Sequence, residues 1–309
     1  MTDDERQRLA RLLPNLKRRA SIHQITRCFF DEQGFLEVDT PVRSPAIAPE
    51  KEILPFESDG WFLTTSPELY MKRLLAAGYT RLYQFSHCFR KGERGRLHNP
   101  EFTLLEWYRI GANYMDMMTD AECLVLTIAR ELGYGNLLQY RGKTIDLTIP
   151  WPRITVSELF HRLAGWDPVL NPDLSRFDED MVVRVIPHLN PYRPTIMLDY
   201  PAPMASLARL KRDEPSVAER AEVFIGGLEL ANAYSELTDA KEQIERFHNE
   251  IEHIRREQGR TMPLPQKFLE SLEHLPECGG IALGMDRLVM LFCDASSIDE
   301  VMPFTVDTV

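Results

Sequence analysis

Residues 89–109 read FRKGERGRLHNPEFTLLEWYR, a charged loop followed by a strand-like segment. Residues 81–86 are also strand-like, so the two segments predict a long hairpin around this loop. The loop carries Arg90, Arg94, Arg96 and His98, donors that can hold a polyphosphate. In isolation such a run more often forms a solvated turn. The strand that follows His98 favours a functional loop, because a binding site needs rigid support.

Elements on both sides of the hairpin complete an α+β pattern. Ile22, Ile25 and Phe29 have helical spacing after a charged lead-in of about 15 residues, and Gly34 ends that helix. The basic run 17–19 is interpreted as a solvated charged face. Ser66-Pro67 predicts a helix start, and residues 279–292, GGIALGMDRLVMLF, predict a terminal strand and helix. Without an internal repeat or long linker, we expect residues 1–309 to form a single domain.

Composition and charge exclude several classes of protein. The 309 residues have a formal net charge of −11, which argues against bulk nucleic-acid binding because phosphate-tracking surfaces are rich in Lys and Arg. No apolar stretch approaches the ~18 residues that span a bilayer, so no membrane association is expected. The N-terminal residues are too polar for a signal peptide, and we expect a cytoplasmic protein.

Three segments carry a family resemblance. Residues 89–109 resemble motif 2 of class II aminoacyl-tRNA synthetases, and their FR…HNPEFT…E form is similar to that of lysyl-tRNA synthetases. Residues 34–41, GFLEVDTP, resemble motif 1, and residues 280–287, GIALGMDR, resemble motif 3. Three motifs in the family's order are far more specific than any one alone. The resemblance implies a catalytic domain with an antiparallel sheet flanked by helices, and a homodimer formed through motif 1.

The same resemblance implies an ATP site. Arg90 would hold the α-phosphate and the amino-acid carboxylate, Phe102 would stack on adenine, and Arg287 would cover the other adenine face. Further ATP contacts are implied for Lys91, Gly92, His98, Asn99, Glu229, Leu230 and Gly284. Glu222 and Glu229 match the family's Mg²⁺-binding carboxylates, although two glutamates of an acidic chain would otherwise be read as surface charge.

The resemblance also implies an amino-acid site built from Ser66, Pro67, Glu68, Tyr108, Asn232, Tyr234, Glu236 and Ala282. Glu68 would face the backbone-side amine of a lysine-like substrate, Asn232 its carboxylate, and Glu236 with Tyr108 the distant ammonium. A buried ammonium requires such a carboxylate, since an unpaired one costs several kcal/mol. Taken alone, the two tyrosines fit core packing and Glu236 fits a helix cap or a surface position.

The chain departs from lysyl-tRNA synthetases in three ways. Only about 33 residues precede motif 1, too few for an OB-fold anticodon-binding domain. Ala282 stands where those enzymes have glycine, and the added methyl group favours a β-amino substrate. Gly92 stands where the family usually has glutamate, so the contact that this glutamate makes on the adenine side is not predicted for this chain. The pattern is similar to truncated lysyl-tRNA synthetase paralogues that modify elongation factor P.

The leading interpretation is a ligase that activates (R)-β-lysine with ATP and transfers it to a lysine ε-amine of elongation factor P. A minimal aminoacyl-tRNA synthetase and an amino-acid ligase with a small-molecule acceptor are the alternatives among enzymes. A silent regulatory paralogue is the alternative from another class. Intact Arg90, Glu229, Glu236 and Arg287 argue against the silent protein.

Overall fold

The computed structural model describes residues 2–309. Its helices are α1 Asp3–Glu32, α2 Glu68–Ala76, α3 Tyr114–Glu131, α4 Val156–Ala164, α5 Leu174–Asp180, α6 Ala240–Gln258, α7 Gln266–Ser271 and α8 Met285–Phe292. Its strands are β1 Leu36–Glu37, β2 Arg43–Ser44, β3 Glu57–Ser58, β4 Trp61–Leu63, β5 Arg81–Phe89, β6 Glu101–Ile110, β7 Leu137–Tyr140, β8 Lys143–Asp146, β9 Arg153–Thr155, β10 Thr195–Pro201, β11 Val217–Ile225, β12 Leu228–Ser235 and β13 Cys278–Gly284.

A sheet of eight strands organises the chain in the order β1-β5-β6-β13-β12-β11-β10-β9. Neighbours from β5 to β10 are antiparallel, and only the edge strands β1 and β9 pair in parallel. The hairpin predicted around the arginine-rich loop is confirmed as β5 and β6. The expected antiparallel α+β sheet flanked by helices is therefore confirmed.

The two faces of the sheet have different roles. Successive side chains of a strand point to opposite faces, so Leu105 and Trp107 of β6 share one face with Ile281 and Leu283 of β13. These residues belong to the largest buried cluster, which also contains residues of α1, α3 and α8. Burial of each large apolar side chain contributes about 1.5–3 kcal/mol. The opposite face carries the polar residues of the site.

Helix α1 is longer than the sequence predicted. It begins at Asp3 rather than after a ragged lead-in, and the Thr2 hydroxyl accepts a hydrogen bond of 3.2 Å from the Glu5 amide. The interpretation of residues 17–19 as a solvated face holds for the exposed Lys17 but was wrong for Arg18 and Arg19. Arg18 donates to the carbonyl oxygen of Phe292 at 3.0 Å, and Arg19 donates to the Asp286 carboxylate at 2.5 Å. Polar contacts thus fix a helix segment that lacks a clear apolar stripe.

The Asp286 carboxylate joins three parts of the chain that the sequence motifs mark separately. It accepts from Arg19 of α1, and its second oxygen accepts from the Thr103 amide of β6 at 2.8 Å. Asp286 lies in the first turn of α8, immediately after β13. Among the described residues, no helix combines the length and apolar character needed to cross a membrane.

Candidate active site

A cavity of about 790 Å³ lies on the polar face of the sheet, over β6, β13 and β12. It is lined by fifteen residues of the predicted site: Ser66, Glu68, Arg90, His98, Asn99, Phe102, Tyr108, Glu229, Leu230, Asn232, Tyr234, Glu236, Ala282, Gly284 and Arg287. Pro67, Lys91, Gly92 and Glu222 are not among its lining residues. Segments from both halves of the chain therefore meet at one cavity.

Strand register explains this convergence. Ala282 of β13 pairs with Glu106 of β6 on one side and with Asn232 of β12 on the other. Two residues earlier, Gly280 pairs with Tyr108 and Tyr234. Directly paired residues share a face and residues two apart keep it, so these side chains all point to the cavity. Alternation within three strands therefore places residues of the predicted substrate-binding set side by side.

Position 280 requires glycine because the side chains of Glu236 and Tyr108 come close to its backbone. A Cβ atom at this position would lie 2.2 Å from Glu236 Oε1 and 2.2 Å from Tyr108 Cε1. Real Cβ atoms do not come this close to other heavy atoms. Any side chain at Gly280 would therefore displace the carboxylate or the ring at this end of the cavity.

Three glutamates, Glu68, Glu106 and Glu236, form what we call the acidic end of the cavity. Glu106 was missed in the sequence analysis. Its carboxylate accepts a hydrogen bond of 2.6 Å from Ser66 Oγ and one of 2.8 Å from Tyr108 Oη. Burial, with the nearby charge of Glu68, raises the pKa of Glu106 to about 7, while both hydrogen bonds oppose this rise.

Lys72 of α2 lies behind the acidic end and was also missed. Its ammonium is fully buried, donates to Glu68 Oε1 at 2.5 Å and forms an ion pair with Glu236. Burial alone would lower the pKa of Lys72, but the two carboxylates outweigh that effect and raise it. Burial raises the pKa of Glu236, and the Lys72 ammonium opposes that rise. Lys72 is therefore the resident cation of an otherwise acidic cluster.

The opposite part of the cavity is cationic, and we call it the basic end: Arg90, His98 and Arg287. The Arg90 guanidinium lies 5.1 Å from the ring centroid of Phe102, and its buried Nε has no hydrogen-bond acceptor among residues 2–309. An unpartnered buried guanidinium nitrogen is a donor available to an oxyanion. These features suit a phosphate or carboxylate beside an aromatic ring.

Arg287 is anchored at both terminal nitrogens of its guanidinium. One donates to the carbonyl oxygen of Glu229 at 2.8 Å, and the other lies 2.6 Å from His98 Nε2. Burial, followed by the charge of Arg287, lowers the pKa of His98, so the neutral imidazole accepts this hydrogen bond. This network ties the loop after β5 to the start of α8.

Asn232 and Tyr234 lie between the two ends. Asn232 Nδ2 donates to Tyr234 Oη at 3.0 Å. An amide nitrogen carries two hydrogens, so the second remains available to a ligand carboxylate. Asn232 Oδ1 is buried and has no hydrogen-bond donor in the described part of the chain, so the amide can both donate a hydrogen bond to a ligand and accept one from it. The prediction that Asn232 binds a substrate group is consistent with this position.

Glu222 and Glu229, the predicted metal ligands, lie on the neighbouring strands β11 and β12. Glu222 pairs in register with Asn232, and its carboxylate accepts from Arg220 at 2.7 Å. The Glu229 side chain faces the cavity and is 45% exposed. Desolvation in the cavity, followed by the charge of Glu222, raises the pKa of Glu229. Two carboxylates on neighbouring strands, one of them facing the cavity, suit a divalent cation that is held together with phosphate oxygens.

Several missed residues carried a signal that sequence reasoning could have used. Glu106 is two residues before Tyr108 and Arg220 two before Glu222, so strand periodicity places each on the face of a predicted residue. Lys72 is four residues after Glu68 on a helix, the spacing of a side-chain pair. Glu50 gave no such signal, because it lies in an irregular stretch. Burial raises its pKa to about 7 in the cavity.

The fold and the cavity define a class of protein. The family model described as tRNA synthetases class II (D, K and N) matches residues 6–308, and the chain belongs to this family. The resemblance predicted from the three motifs is confirmed. More specific relatives are the elongation factor P–(R)-β-lysine ligases of Salmonella paratyphi B, Salmonella schwarzengrund and Salmonella heidelberg. Each is 38% identical over 96% of this chain and 96% of the relative.

Proposed function

We propose that this chain activates (R)-β-lysine with ATP as an aminoacyl adenylate and transfers it to a lysine ε-amine of elongation factor P. Its relatives, 38% identical along 96% of the chain, are ligases named for that acceptor and that amino acid. Such a chain is an AMP-forming ligase of the class II synthetase type.

One observation carries the proposal: a single cavity has a basic end with Arg90 and Arg287 and an acidic end with three glutamates. A diamino acid joined to a nucleotide has the complementary charges, phosphate at one end and two ammonium groups at the other. The sizes also agree, since ligand cavities hold about 300–1,000 Å³ and this one holds about 790 Å³.

The first step joins the amino acid to the nucleotide. A carboxylate oxygen of the amino acid attacks the α-phosphorus of ATP, and the bond to pyrophosphate breaks. We propose that Arg90 holds both reacting groups and neutralises the charge that develops between them. Phe102 would support the adenine, while Arg287, anchored by Glu229 and His98, would contact the nucleotide. No covalent enzyme intermediate is needed.

The second step consumes the adenylate. The neutral ε-amine of the acceptor lysine attacks the acyl carbon, the bond to AMP breaks, and the amine loses a proton. AMP is a good leaving group, so this step chiefly requires an oriented and deprotonated amine. The chain's contribution is to present the acyl group beside the open part of the cavity.

Mg²⁺ is proposed to bind with ATP at Glu229 and Glu222. The ion would neutralise phosphate oxygens, for which carboxylates are suitable co-ligands. Glu229 faces the cavity. Glu222 lies beside it, and its carboxylate accepts a hydrogen bond from Arg220. The remaining ATP contacts, including Lys91, Gly92, Asn99, Leu230 and Gly284, are part of the same proposal.

Selection of a β-amino acid is assigned to Ala282. Its methyl group lies in register between Glu106 and Asn232, where it narrows the space between an ammonium-binding and a carboxylate-binding group. Moving the amine by one carbon changes its distance from the carboxylate by about one bond length. One methyl group at a close-packed site is enough to discriminate such isomers by about 1–3 kcal/mol.

A homodimer through α1 and the segment that follows it is also proposed. Leu36 is 50% exposed and Val42 is 41% exposed, which is apolar surface that a second copy would cover. A mass of one chain by light scattering would contradict the dimer. A cytoplasmic location belongs to the same proposal, because ATP and elongation factor P are the substrates.

ATP–pyrophosphate exchange tests the first step. We expect exchange with (R)-β-lysine to exceed that with (S)-β-lysine and α-lysine, and an absence of exchange with all three would favour a silent binder. Transfer of labelled β-lysine tests the second step. Label on elongation factor P supports the proposal, whereas label on tRNA or on a small molecule would overturn the proposed acceptor.

A further inference from the structure

The acidic end contains a lysine that belongs to the protein. Lys72 Nζ bridges Glu68 and Glu236 from below the cavity, and its side chain is 0% exposed. The Glu236 side chain is 1% exposed, so neither charge of this pair is screened by water. A buried lysine that pairs with two carboxylates of a ligand cavity differs from a surface ion pair, whose contribution is small.

The charges of this end can be counted. When all three carboxyl groups are ionised, Glu68, Glu106 and Glu236 supply three negative charges and Lys72 supplies one positive charge, which gives a net charge of −2. A diamino acid brings two ammonium groups, while its carboxylate belongs to the basic end. The protein's lysine and the ligand's two ammonium groups together match the three carboxylates.

We propose that Lys72 is a positioning residue that sets the charge of the amino-acid site: it holds Glu68 and Glu236 in the geometry that a doubly protonated diamino acid requires, and its ammonium favours the charged form of Glu236. This inference rests on the proposed function for the identity of the ligand. Lys72 would then be a further residue of the amino-acid site, one that is buried from solvent and acts through Glu68 and Glu236.

The physical basis is the balance between burial and charge at Glu236. Burial favours the neutral carboxyl, and the Lys72 ammonium is the largest opposing influence. Titratable and charged groups face this pair from several elements: Glu68 on α2, Glu106 and Tyr108 on β6 and Cys278 on β13. The Phe268 ring of α7 lies 6.0 Å from Nζ. Arg209 supplies a positive charge near Cys278, whereas Lys72 is the cation in contact with Glu236.

Loss of the Lys72 charge should therefore raise the pKa of Glu236 further and favour its neutral form. A neutral carboxyl does not pair with the ligand's ammonium, so binding of the amino acid would require release of a proton. The ATP end is separate, and its affinity should not change. The expected signature is an acidic limb in the amino-acid kcat/KM profile that moves to higher pH, rather than a uniform loss of activity.

The experiment compares the wild-type protein with Lys72→Gln and Lys72→Arg. The Lys72→Gln variant should move the acidic limb of kcat/KM for (R)-β-lysine upward by about one pH unit or more. The Lys72→Arg variant keeps the positive charge, so its acidic limb of kcat/KM should lie near the pH of the wild-type limb. If Lys72→Gln does not fold, Lys72→Gln/Glu68→Gln removes one charge of each sign. Its limb should move in the same direction, because Lys72 acts on Glu236 more strongly than Glu68 does.

A matched control is Arg153→Gln. Arg153 pairs with buried Glu122 at 2.9 Å, on edge strand β9 away from the cavity. This variant should lower thermal stability without moving the acidic limb. A comparable shift in Arg153→Gln would show that the limb reports general destabilisation and would overturn the assignment of Lys72.

A second readout does not depend on the ligand. Glutamate labelled with ¹³C at the carboxyl carbon, assigned with Glu236→Gln, reports the titration of Glu236 in the free protein. We expect its midpoint to rise in Lys72→Gln, and an unchanged midpoint would overturn the inference. If the wild-type protein exchanges pyrophosphate with no diamino acid, the proposed function fails, while this titration still decides the role of Lys72.

Discussion

Tyr108 and Glu106 lie two residues apart on β6, and the Tyr108 hydroxyl donates a hydrogen bond of 2.8 Å to the Glu106 carboxylate inside the cavity. Ser66 donates to the other oxygen of the same carboxylate at 2.6 Å. The carboxylate is thus oriented from two sides before any ligand binds. Such preorganisation is what a site for a buried ammonium requires.

Tyr108→Phe removes one of these hydrogen bonds. A hydrogen bond to a charged group contributes about 1.5–3 kcal/mol, so KM for the diamino acid should rise about tenfold or more. The control is Tyr83→Phe, which removes the hydrogen bond of 3.0 Å from Tyr83 to Glu37, outside the cavity. Pyrophosphate-exchange kinetics measure both variants. Equal KM changes in the two would contradict a specific role of Tyr108.

The raised pKa of Glu106, about 7 instead of 4.5, predicts a pH dependence. The ionised carboxylate binds an ammonium, so kcat/KM for the amino acid should fall as pH decreases through about 7. The free energy of unfolding should depend on pH in the opposite direction to kcat/KM. The folded protein binds this proton more tightly than the unfolded chain, so stability contributed by this group is lost as pH rises toward 7.

Two measurements check these signs. The pH profile of kcat/KM for the amino acid should fall on its acidic side, as predicted above. The thermal unfolding temperature of Glu106→Gln should depend less on pH than that of the wild-type protein. A flat kcat/KM profile between about pH 6 and pH 8 would contradict the role of Glu106.

Arg287→Met should impair nucleotide use. Removal of a guanidinium that we propose contacts the nucleotide should lower kcat/KM for ATP by about a hundredfold. Arg94→Met is the control, because Arg94 pairs with Asp307, is 62% exposed and does not line the cavity. ATP kinetics in the exchange reaction distinguish the two. An Arg287→Met protein with wild-type ATP kinetics would remove this residue from the site.

Ala282→Gly should relax amino-acid selection. The variant removes the methyl group between Glu106 and Asn232, so the preference for (R)-β-lysine over α-lysine should fall by about tenfold. Ala233→Gly makes the same change on the neighbouring strand, where Ala233 pairs with Ile281 and belongs to the hydrophobic core. It should lower stability and leave selection unchanged. Exchange assays with both amino acids provide the ratio.

Glu229→Gln should weaken the proposed metal site. Half-maximal exchange should then require about tenfold more Mg²⁺, and a chelator should abolish exchange by the wild-type protein. The control is Glu219→Gln on β11, whose carboxylate accepts from Arg209 at 2.9 Å. An unchanged Mg²⁺ requirement in Glu229→Gln would exclude this carboxylate as a ligand.

The local parts of the site could be predicted from the sequence. Strand periodicity and turn residues predicted the β5–β6 hairpin, and residues 279–292 predicted a terminal strand and helix, which are observed as β13 and α8. These features depend on residues close in the chain. The extension of α1 was missed because Asn15, Arg18 and Arg19 anchor it through contacts more than 260 residues away.

The sequence by itself determined which residue types stand near the hairpin, the order of the three motifs and the alternation that points Tyr108 and Asn232 to one face. Only the tertiary structure decided that Lys72 is a buried partner of Glu68 and Glu236 and not a surface lysine. The physical reason is that burial and charge pairing depend on distances between separate strands and helices. Sequence spacing sets such distances within one element but not between elements.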